Sequence, residues 1–451
     1  MLRVSGLALA AVLSLSVATG ALAQGTAAPG ASARAGAAQL SPGQLSSGQA
    51  DRAIQEIRNS AAFKAAVATL DAEHERIVND TIILTEIEAP PFKEEKRARA
   101  YMDMLKAHGL TEVEMDAEGN VMGLRRGTGP AGGPVVVIAA HLDTVFPEGT
   151  NVKVRREGTK LFAPGVGDDT HSLAVLLGYI RALDAGKVKT KRDILFVGNV
   201  GEEGPGDLRG VRHLFTQGKY KDRIAAFFSM DGTSADRVVS GAVGSKRYRV
   251  TFNGPGGHSY GAFGIVNPMA AMGNAVVAMN RLQVPASPRT TYATSVVGGG
   301  TSVNSIPESI WLEVDMRSES PEELAKLDAA FKRIVDEAVA AENAARNTGP
   351  GKISAEVKQI GDRPTGNTRE DAEIVQLTSA AVRAAGYQPV LGASSTDSNM
   401  PISLGIPAVT IGSGGKGGRA HAPDEWIDVA KPESLRGMTV GLAALIAMAD
   451  R

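Results

Sequence analysis

Three short apolar runs constrain the fold of this chain more than any other feature of its sequence. They are PVVVIAA at residues 134–140, DILFVGNV at 193–200 and AAFFSM at 225–230, and residues 171–183 carry a helical pattern between the first two. Short continuous apolar runs are typical of strands buried on both faces, as in parallel sheets. Strands that alternate with helices predict an α/β fold in which helices sandwich a mostly parallel sheet.

A second pattern occupies the middle of the chain. It predicts strands at 246–253, 292–297, 310–316 and 353–360, and helices at 267–282 and 321–343. This β-α-β-β-α-β order is that of a ferredoxin-like unit. A helix at 371–385 and an apolar run at 407–411 then return to the first pattern. We therefore predict a large domain, residues 51–242 and 363–451, that is interrupted by an inserted unit, residues 243–362.

The first fifty residues predict export. Arg3 precedes a short apolar run, and a small-x-small cleavage site at 21–23 ends just before Gln24. The apolar run is shorter than the ~20 residues of a membrane-spanning helix, so we predict a cleaved signal peptide at 1–23. Residues 24–50 are rich in Gly, Ala, Ser and Gln and predict a disordered linker. The expected location is periplasmic or secreted, without a membrane anchor after cleavage.

The composition excludes several classes of function. The 451 residues predict two domains plus tails, and the net charge of −1, with scattered basic residues, argues against a nucleic-acid partner. The chain contains no cysteine, which excludes disulfides, thiolate nucleophiles and cysteine-based zinc sites. Any metal ion must therefore be held by His, Asp and Glu.

Potential metal ligands follow each buried strand directly, and a glycine-rich turn at 164–167 delivers two more. These residues are His141, Asp143, Asp168, Asp169, Glu202, Glu203 and Asp231. In open α/β sheets, ligands bind at the carboxyl ends of the strands, so these side chains are expected to meet at one edge. Six carboxylates at one edge would repel each other, and two Zn²⁺ ions would offset that repulsion.

Two adjacent pairs suggest a division of labour. His141 and Asp143 are too close to bind one ion together, so we expect Asp143 to accept the other imidazole N–H. In Glu202–Glu203, one carboxylate would bind metal and its neighbour would take a proton from water. The residues alone do not say which glutamate does which.

These motifs, taken together, resemble those of a known family. HLDTV at His141, GVGDD at Gly165, GEEG at Gly201, the acid at Asp231 and RAHAPDE around His421 cover nearly the whole mature chain. The set resembles the di-zinc exopeptidases that include glutamate carboxypeptidase, peptidase T, aminoacylase and succinyl-diaminopimelate desuccinylase. The stretches GPGGHSYGAFG and TSVNSIP are most similar to the peptidase T-like branch.

The resemblance implies a role for each residue at the metal site. It implies a catalytic large domain with two zinc ions, which Co²⁺ or Mn²⁺ could replace. Asp168 would bridge the ions, and the bond between Asp168 and Asp169 would be a cis peptide. The remaining implied assignments are His141 and Asp231 on one ion, Glu203 and His421 on the other, Asp143 behind His141, and Glu202 as general base.

The resemblance also extends to the inserted unit, which would serve as a lid or dimerisation domain. His258 would stabilise the oxyanion, often across a dimer interface, while Asn304 and Arg317 would grip a substrate carboxylate. Monomeric relatives exist, so a homodimer through the inserted unit stays open. One departure from the family pattern is His171, where relatives carry another residue pair after the two aspartates. His171 would either pack against the sheet, the favoured interpretation, or contact substrate.

The predicted function is hydrolysis of the amide bond of short peptides by an exopeptidase with Glu202 as base. Whether cleavage starts from the amino or the carboxyl end stays open. An alternative on the same site is a deacylase or amidohydrolase that acts on N-acyl amino acids. A third is a non-catalytic peptide-binding protein, which predicts the loss of a ligand or of the base, and every one of these residues is present.

Overall fold

The computed structural model describes residues 43–451, so the predicted signal peptide and residues 24–42 of the predicted linker lie outside the described residues. The described helices are α1 Ser47–Asn59, α2 Ala61–Ala72, α3 His74–Thr85, α4 Glu95–Ala107, α5 His171–Ala185, α6 Arg209–Thr216, α7 Pro268–Met279, α8 Pro321–Ala345, α9 Glu373–Ala384, α10 Asn399–Ser403 and α11 Lys431–Ala449. Among these helices, none is both long enough and apolar enough to cross a bilayer.

The strands of the same region form one large sheet and three smaller ones. They are β1 Thr111–Met115, β2 Val121–Arg125, β3 Val135–His141, β4 Arg155–Glu157, β5 Lys160–Phe162, β6 Asp193–Asn199, β7 Ile224–Met230, β8 Arg237–Ala242, β9 Gly244–Asn253, β10 Gly257–His258, β11 Thr290–Gly299, β12 Ser305–Ile306, β13 Ser309–Ser318, β14 Ser354–Arg363, β15 Gly366–Asn367, β16 Val390–Ser394, β17 Ala408–Ile411, β18 Lys416–Gly418 and β19 Trp426–Asp428.

The large sheet confirms the predicted α/β fold. Its order is β1-β2-β6-β3-β7-β17-β8-β15, with β16 also paired to β8. Strands β6, β3, β7 and β17 run parallel, while β2 and β8 join this core in antiparallel fashion. All seven residues of β3 are buried because alternate side chains enter different cores. One core contains α5, α9 and α11, and the other contains α6, so helices cover both faces.

The inserted unit forms a separate antiparallel sheet in the order β11-β13-β9-β14, which is the predicted ferredoxin-like arrangement. Helices α7 and α8 cover one face of this sheet and share its apolar core. At the root of the unit, Ser245 of β9 pairs with Arg363 of β14. The chain therefore enters and leaves the inserted unit through neighbouring strands.

The predicted linker is wrong at its last residues. Helix α1 begins at Ser47, four residues before the predicted boundary of the large domain. The side chain of Ser46 accepts the N–H of Gln49, and the side chain of Gln49 accepts the N–H of Ser46. This capping box satisfies N–H groups that the first turn leaves without partners, which explains why the helix starts there.

Candidate metal centre

The carboxyl edge of the large sheet collects the predicted ligands. Strand β3 ends at His141, Asp231 directly follows β7, and Glu203 lies in the loop after β6. Potential ligand atoms of His141, Asp168 and Asp231 lie within 4.8 Å of one another, and so do those of Asp168, Glu203 and His421. Asp168 belongs to both groups, which is the position that a bridging ligand must occupy. The two groups therefore fit a pair of divalent cations held by imidazole and carboxylate donors.

The charge at this edge supports the same conclusion. Burial, followed by the negative charge of Asp168, raises the pKa of Asp231 to about 7. Burial likewise raises the pKa of Asp169 well above its usual value, and the charges of Asp231 and Asp168 add to the shift. Bound cations would offset this repulsion and favour the ionised carboxylates.

His141 presents one ring nitrogen to the site. Its Nε2 lies 2.9 Å from Oδ1 of Asp168, and its Nδ1 lies 3.0 Å from the backbone carbonyl oxygen of Asp143. The carbonyl can accept only from a protonated Nδ1, so in the neutral imidazole the lone pair lies on Nε2, the nitrogen that could bind a metal ion. The backbone N–H of His141 donates to Asp169 at 3.1 Å, so the strand end is held to the aspartate turn.

The structure corrects the role expected for the Asp143 carboxylate. Its Oδ1 lies 3.8 Å from Nδ1 of His141, beyond hydrogen-bonding distance, because the backbone carbonyl takes that N–H. The carboxylate instead accepts the backbone N–H groups of Glu202, at 3.0 Å, and Glu203, at 2.8 Å. Asp143 is fully buried and therefore positions the glutamate pair rather than the imidazole through its side chain.

The turn that carries Asp168 contains the expected cis peptide bond between Asp168 and Asp169. It is held by Glu425, which the sequence analysis did not single out. The Glu425 carboxylate accepts the backbone N–H groups of Gly165, Gly167 and Asp168 at 2.8 to 2.9 Å. The available signal was the position of Glu425 in the RAHAPDE motif, four residues after His421.

Glu202 lies beside the ligand groups and has a second partner that the sequence analysis missed. Potential ligand atoms of His141, Glu202 and Glu203 also lie within 4.8 Å of one another. Nη1 of Arg363 donates to Glu202 Oε1 at 3.0 Å, and Nη2 donates to the backbone carbonyl of Glu202. Both side chains are buried, so this ion pair is shielded from water. Arg363 ends β14 and thus connects Glu202 to the root of the inserted unit.

A cleft of about 620 Å³ opens at the metal centre, a volume in the range of small-molecule sites. Among the described residues, its lining includes Arg317 but neither His258 nor Asn304. His258 is exposed, and its Nδ1 accepts the N–H groups of Tyr260 and Gly261, each at 3.2 Å. Asn304 lies beside His258 and is also exposed. The backbone carbonyl of Asn304 accepts the N–H of Ser259. A single chain therefore brings Arg317 to the cleft and leaves His258 and Asn304 outside it.

His171 lies in the core and not in the cleft. It is the first residue of α5, it is fully buried, and its Nδ1 lies 3.1 Å from Oγ1 of Thr81. The structure thus places it in the packed position that the sequence analysis favoured.

The sequence around this site is similar to that of known proteins. The sequence profile of peptidase family M20/M25/M40 matches residues 137–448. Carboxypeptidase G2 of Pseudomonas sp. (strain RS-16) is 26% identical over 244 residues, which are 52% of this chain and 56% of that enzyme. The chain thus matches little more than half the length of this curated relative.

Solved structures share the fold. Aminopeptidase PepT from Bacillus cereus ATCC 10987 matches with a TM-score of 0.66 and 21% identity, over 84% of this chain and 99% of that chain. Dipeptidase Dug1p from Saccharomyces cerevisiae matches with a TM-score of 0.68 and 15% identity, over 87% and 99%. Bacillus subtilis YXEP, a dinuclear metal-binding peptidase, matches with a TM-score of 0.61 and 20% identity, over 84% and 98%.

Proposed function

Because this chain belongs to peptidase family M20/M25/M40 and is a metallopeptidase or related amide hydrolase, we propose that it is a two-zinc exopeptidase acting on short peptides. The observation that carries the proposal is the pair of ligand groups that share Asp168, with Glu202 directly beside them. Histidine and carboxylate donors suit zinc, and Co²⁺ or Mn²⁺ are the substitutes that we propose.

The proposed reaction assigns proton transfer to Glu202. Two ions in these groups would supply Lewis-acid activation of a water molecule and of the substrate carbonyl. Glu202 takes a proton from the attacking water molecule while the oxygen of that water bonds to the carbonyl carbon of the substrate. When the C–N bond breaks, Glu202 delivers the proton to the departing nitrogen. The backbone N–H of Glu202 donates to Asp143, and Arg363 donates to the Glu202 carboxylate, so both the backbone and the side chain are held in place for the two transfers.

The substitution Glu202→Ala tests this mechanism. We expect the variant to retain two metal ions per chain, measured by elemental analysis, and to lose about 10²- to 10⁴-fold in kcat. Glu337→Ala, at an exposed position of α8, is the matched control and should behave like the wild type. Near-normal turnover by Glu202→Ala would refute the assigned base.

The substrate class is tested separately. A panel of dipeptides and tripeptides, run beside N-acyl amino acids, distinguishes the proposed exopeptidase from the alternative deacylase, since both reactions break an amide at the same site. Free and blocked termini in the panel show the end from which cleavage starts. Faster turnover of N-acyl amino acids than of every peptide would favour the deacylase.

We also propose that His258 acts on the cleft of a second copy of this chain. Its surroundings support this, because Tyr260, Phe263 and Val303 are large apolar residues that are 85% exposed or more. Mixing inactive His258→Ala and Glu202→Ala proteins should then restore activity, since a mixed dimer contains one complete site. A monomer by light scattering, or no recovery after mixing, would contradict the shared site.

Export is likewise our proposal. It predicts that the mature protein, isolated from the periplasm or the medium, begins at Gln24.

A further inference from the structure

Four arginines line the same cleft as the candidate metal ligands: Arg237, Arg247, Arg317 and Arg363. Three of them have carboxylate partners. Arg363 pairs with Glu202, as described above, whereas Arg247 and Arg317 share the single carboxylate of Asp315, at 2.8 and 2.7 Å. With the Arg363 pair set aside, the other three arginines have only one carboxylate partner between them, that of Asp315.

Arg237 differs from the other three because its side chain has no partner among residues 43–451. Within these residues, the Arg237 side chain forms no hydrogen bond, ion pair or ring contact. The preceding residue, Asp236, does not pair with it and does not line the cleft. The first residue of β8 thus presents an exposed, unpaired guanidinium to the cavity.

The register of the sheet fixes the distance from Arg237 to the metal centre. Met230 pairs with Ile411, and Ile411 pairs with Val238, so these residues form one row across three strands. Asp231 and Arg237 each lie one residue farther toward the carboxyl edge, because β8 runs antiparallel to β17. Adjacent strands are about 4.8 Å apart, which separates the two backbones by about 10 Å.

A distance of about 10 Å corresponds to about three residues of extended peptide. The long side chain of Arg237 shortens the gap, so its guanidinium can meet a group one to three residues from the reacting carbonyl. The planar guanidinium binds a carboxylate through two parallel hydrogen bonds. The positive charge of Arg237 has no partner to offset it, and this favours an anionic ligand over a neutral one at that position.

We propose that Arg237 binds a carboxylate of the substrate, remote from the bond that is cleaved, and so selects acidic peptides. This inference rests on the proposed exopeptidase function and adds a charge preference to it. The carboxylate comes either from an acidic side chain or from the carboxyl terminus of the peptide.

The test uses pairs of tripeptides that differ only by Glu or Gln at each position, each with a free and an amidated carboxyl end. We expect the wild type to favour one carboxylate by about 10- to 100-fold in kcat/KM. Arg237→Gln should abolish that preference by lowering kcat/KM for the peptide that carries the carboxylate to the value for its partner that lacks it. Arg237→Glu should favour Lys at the same position. The position or terminus that loses its preference identifies the source of the carboxylate.

A control variant and a binding measurement distinguish failure of the carboxylate site from failure of the proposed exopeptidase function. Arg289→Gln, at an exposed position of the inserted unit that does not line the cleft, is the matched control and should keep the preference. Calorimetric titration of Glu202→Ala protein with the same pairs measures the preference without turnover. Absence of any hydrolysis by the wild type overturns the proposed function alone. Equal effects of Arg237→Gln on acidic and neutral peptides, in rate and in binding, overturn the carboxylate site.

Discussion

The burial of His171 leads to a quantitative expectation for how the stability of this protein changes with pH. The Thr81 hydroxyl donates to the carbonyl oxygen of Ile77 at 2.9 Å, so it must accept from Nδ1 of His171. The other ring nitrogen, Nε2, is buried and has no hydrogen-bond partner among the described residues. Protonation would therefore place a charge and an unpaired N–H in the core.

The magnitude follows from the pKa. Burial, followed by the nearby charge of His74, lowers the pKa of His171 from 6.5 to about 4. Because the folded pKa lies below the unfolded one, the unfolded chain binds the proton first as the pH falls. The stabilisation is complete above pH ~6.5 and is lost progressively toward pH ~4, which by linkage amounts to about 2 kcal/mol between pH 7 and pH 5.

The perturbation is His171→Gln, which removes the titration and keeps an N–H for Thr81. Urea unfolding of metal-free protein, followed by circular dichroism at pH 7 and pH 5, gives the free energy of unfolding without metal release. The wild type should lose about 2 kcal/mol more than the variant over this interval. His213→Gln, in α6, is the control and should follow the wild type. Equal losses in wild type and His171→Gln would refute the reasoning.

Two further predictions concern side chains that hold the site. Glu425→Ala leaves three backbone N–H groups without their acceptor, so we expect the free energy of unfolding to fall by about 3 kcal/mol or more and metal affinity to fall about 10- to 100-fold; unchanged metal titration would contradict this. Arg363→Gln removes the partner of Glu202 and should lower kcat more than it changes KM, with partial recovery in Arg363→Lys. An unaltered kcat would show that Arg363 does not position the base.

The sequence predicted the layout of the metal centre because that layout follows from strand order. Apolar runs report burial on both faces, and parallel strands place their carboxyl ends at one edge. His141, Glu203 and Asp231 therefore converge through backbone topology alone. The alternating pattern likewise predicted the ferredoxin-like unit, since alternate residues of its strand β13 are buried and the residues between them are mostly half-buried.

The sequence did not reveal the residues that hold the ligands in place. Glu425 acts on backbone groups about 260 residues earlier in the chain, and Arg363 acts on a glutamate 161 residues earlier. The periodicity of apolar residues describes neighbours along the chain, so it does not predict contacts between residues so far apart in the sequence. The antiparallel strands β1 and β2 were also missed, because β1 is exposed or half-buried and lacks an apolar run. The position of His258 outside the cleft depends on tertiary packing in the same way.

The chain enters and leaves the inserted unit through neighbouring strands, and this affects the loop-closure entropy of assembling the candidate metal centre. His421 follows Asp168 by 253 residues, and joining them closes a loop of that length. Pairing of Ser245 with Arg363 removes 118 of these residues from the loop and roughly halves it. Halving a loop lowers its closure cost by only about 0.6 kcal/mol, since this cost grows with the logarithm of length. A whole folded unit can therefore lie between Asp168 and His421 in the sequence, and its length adds little to the entropy cost of bringing these two residues together.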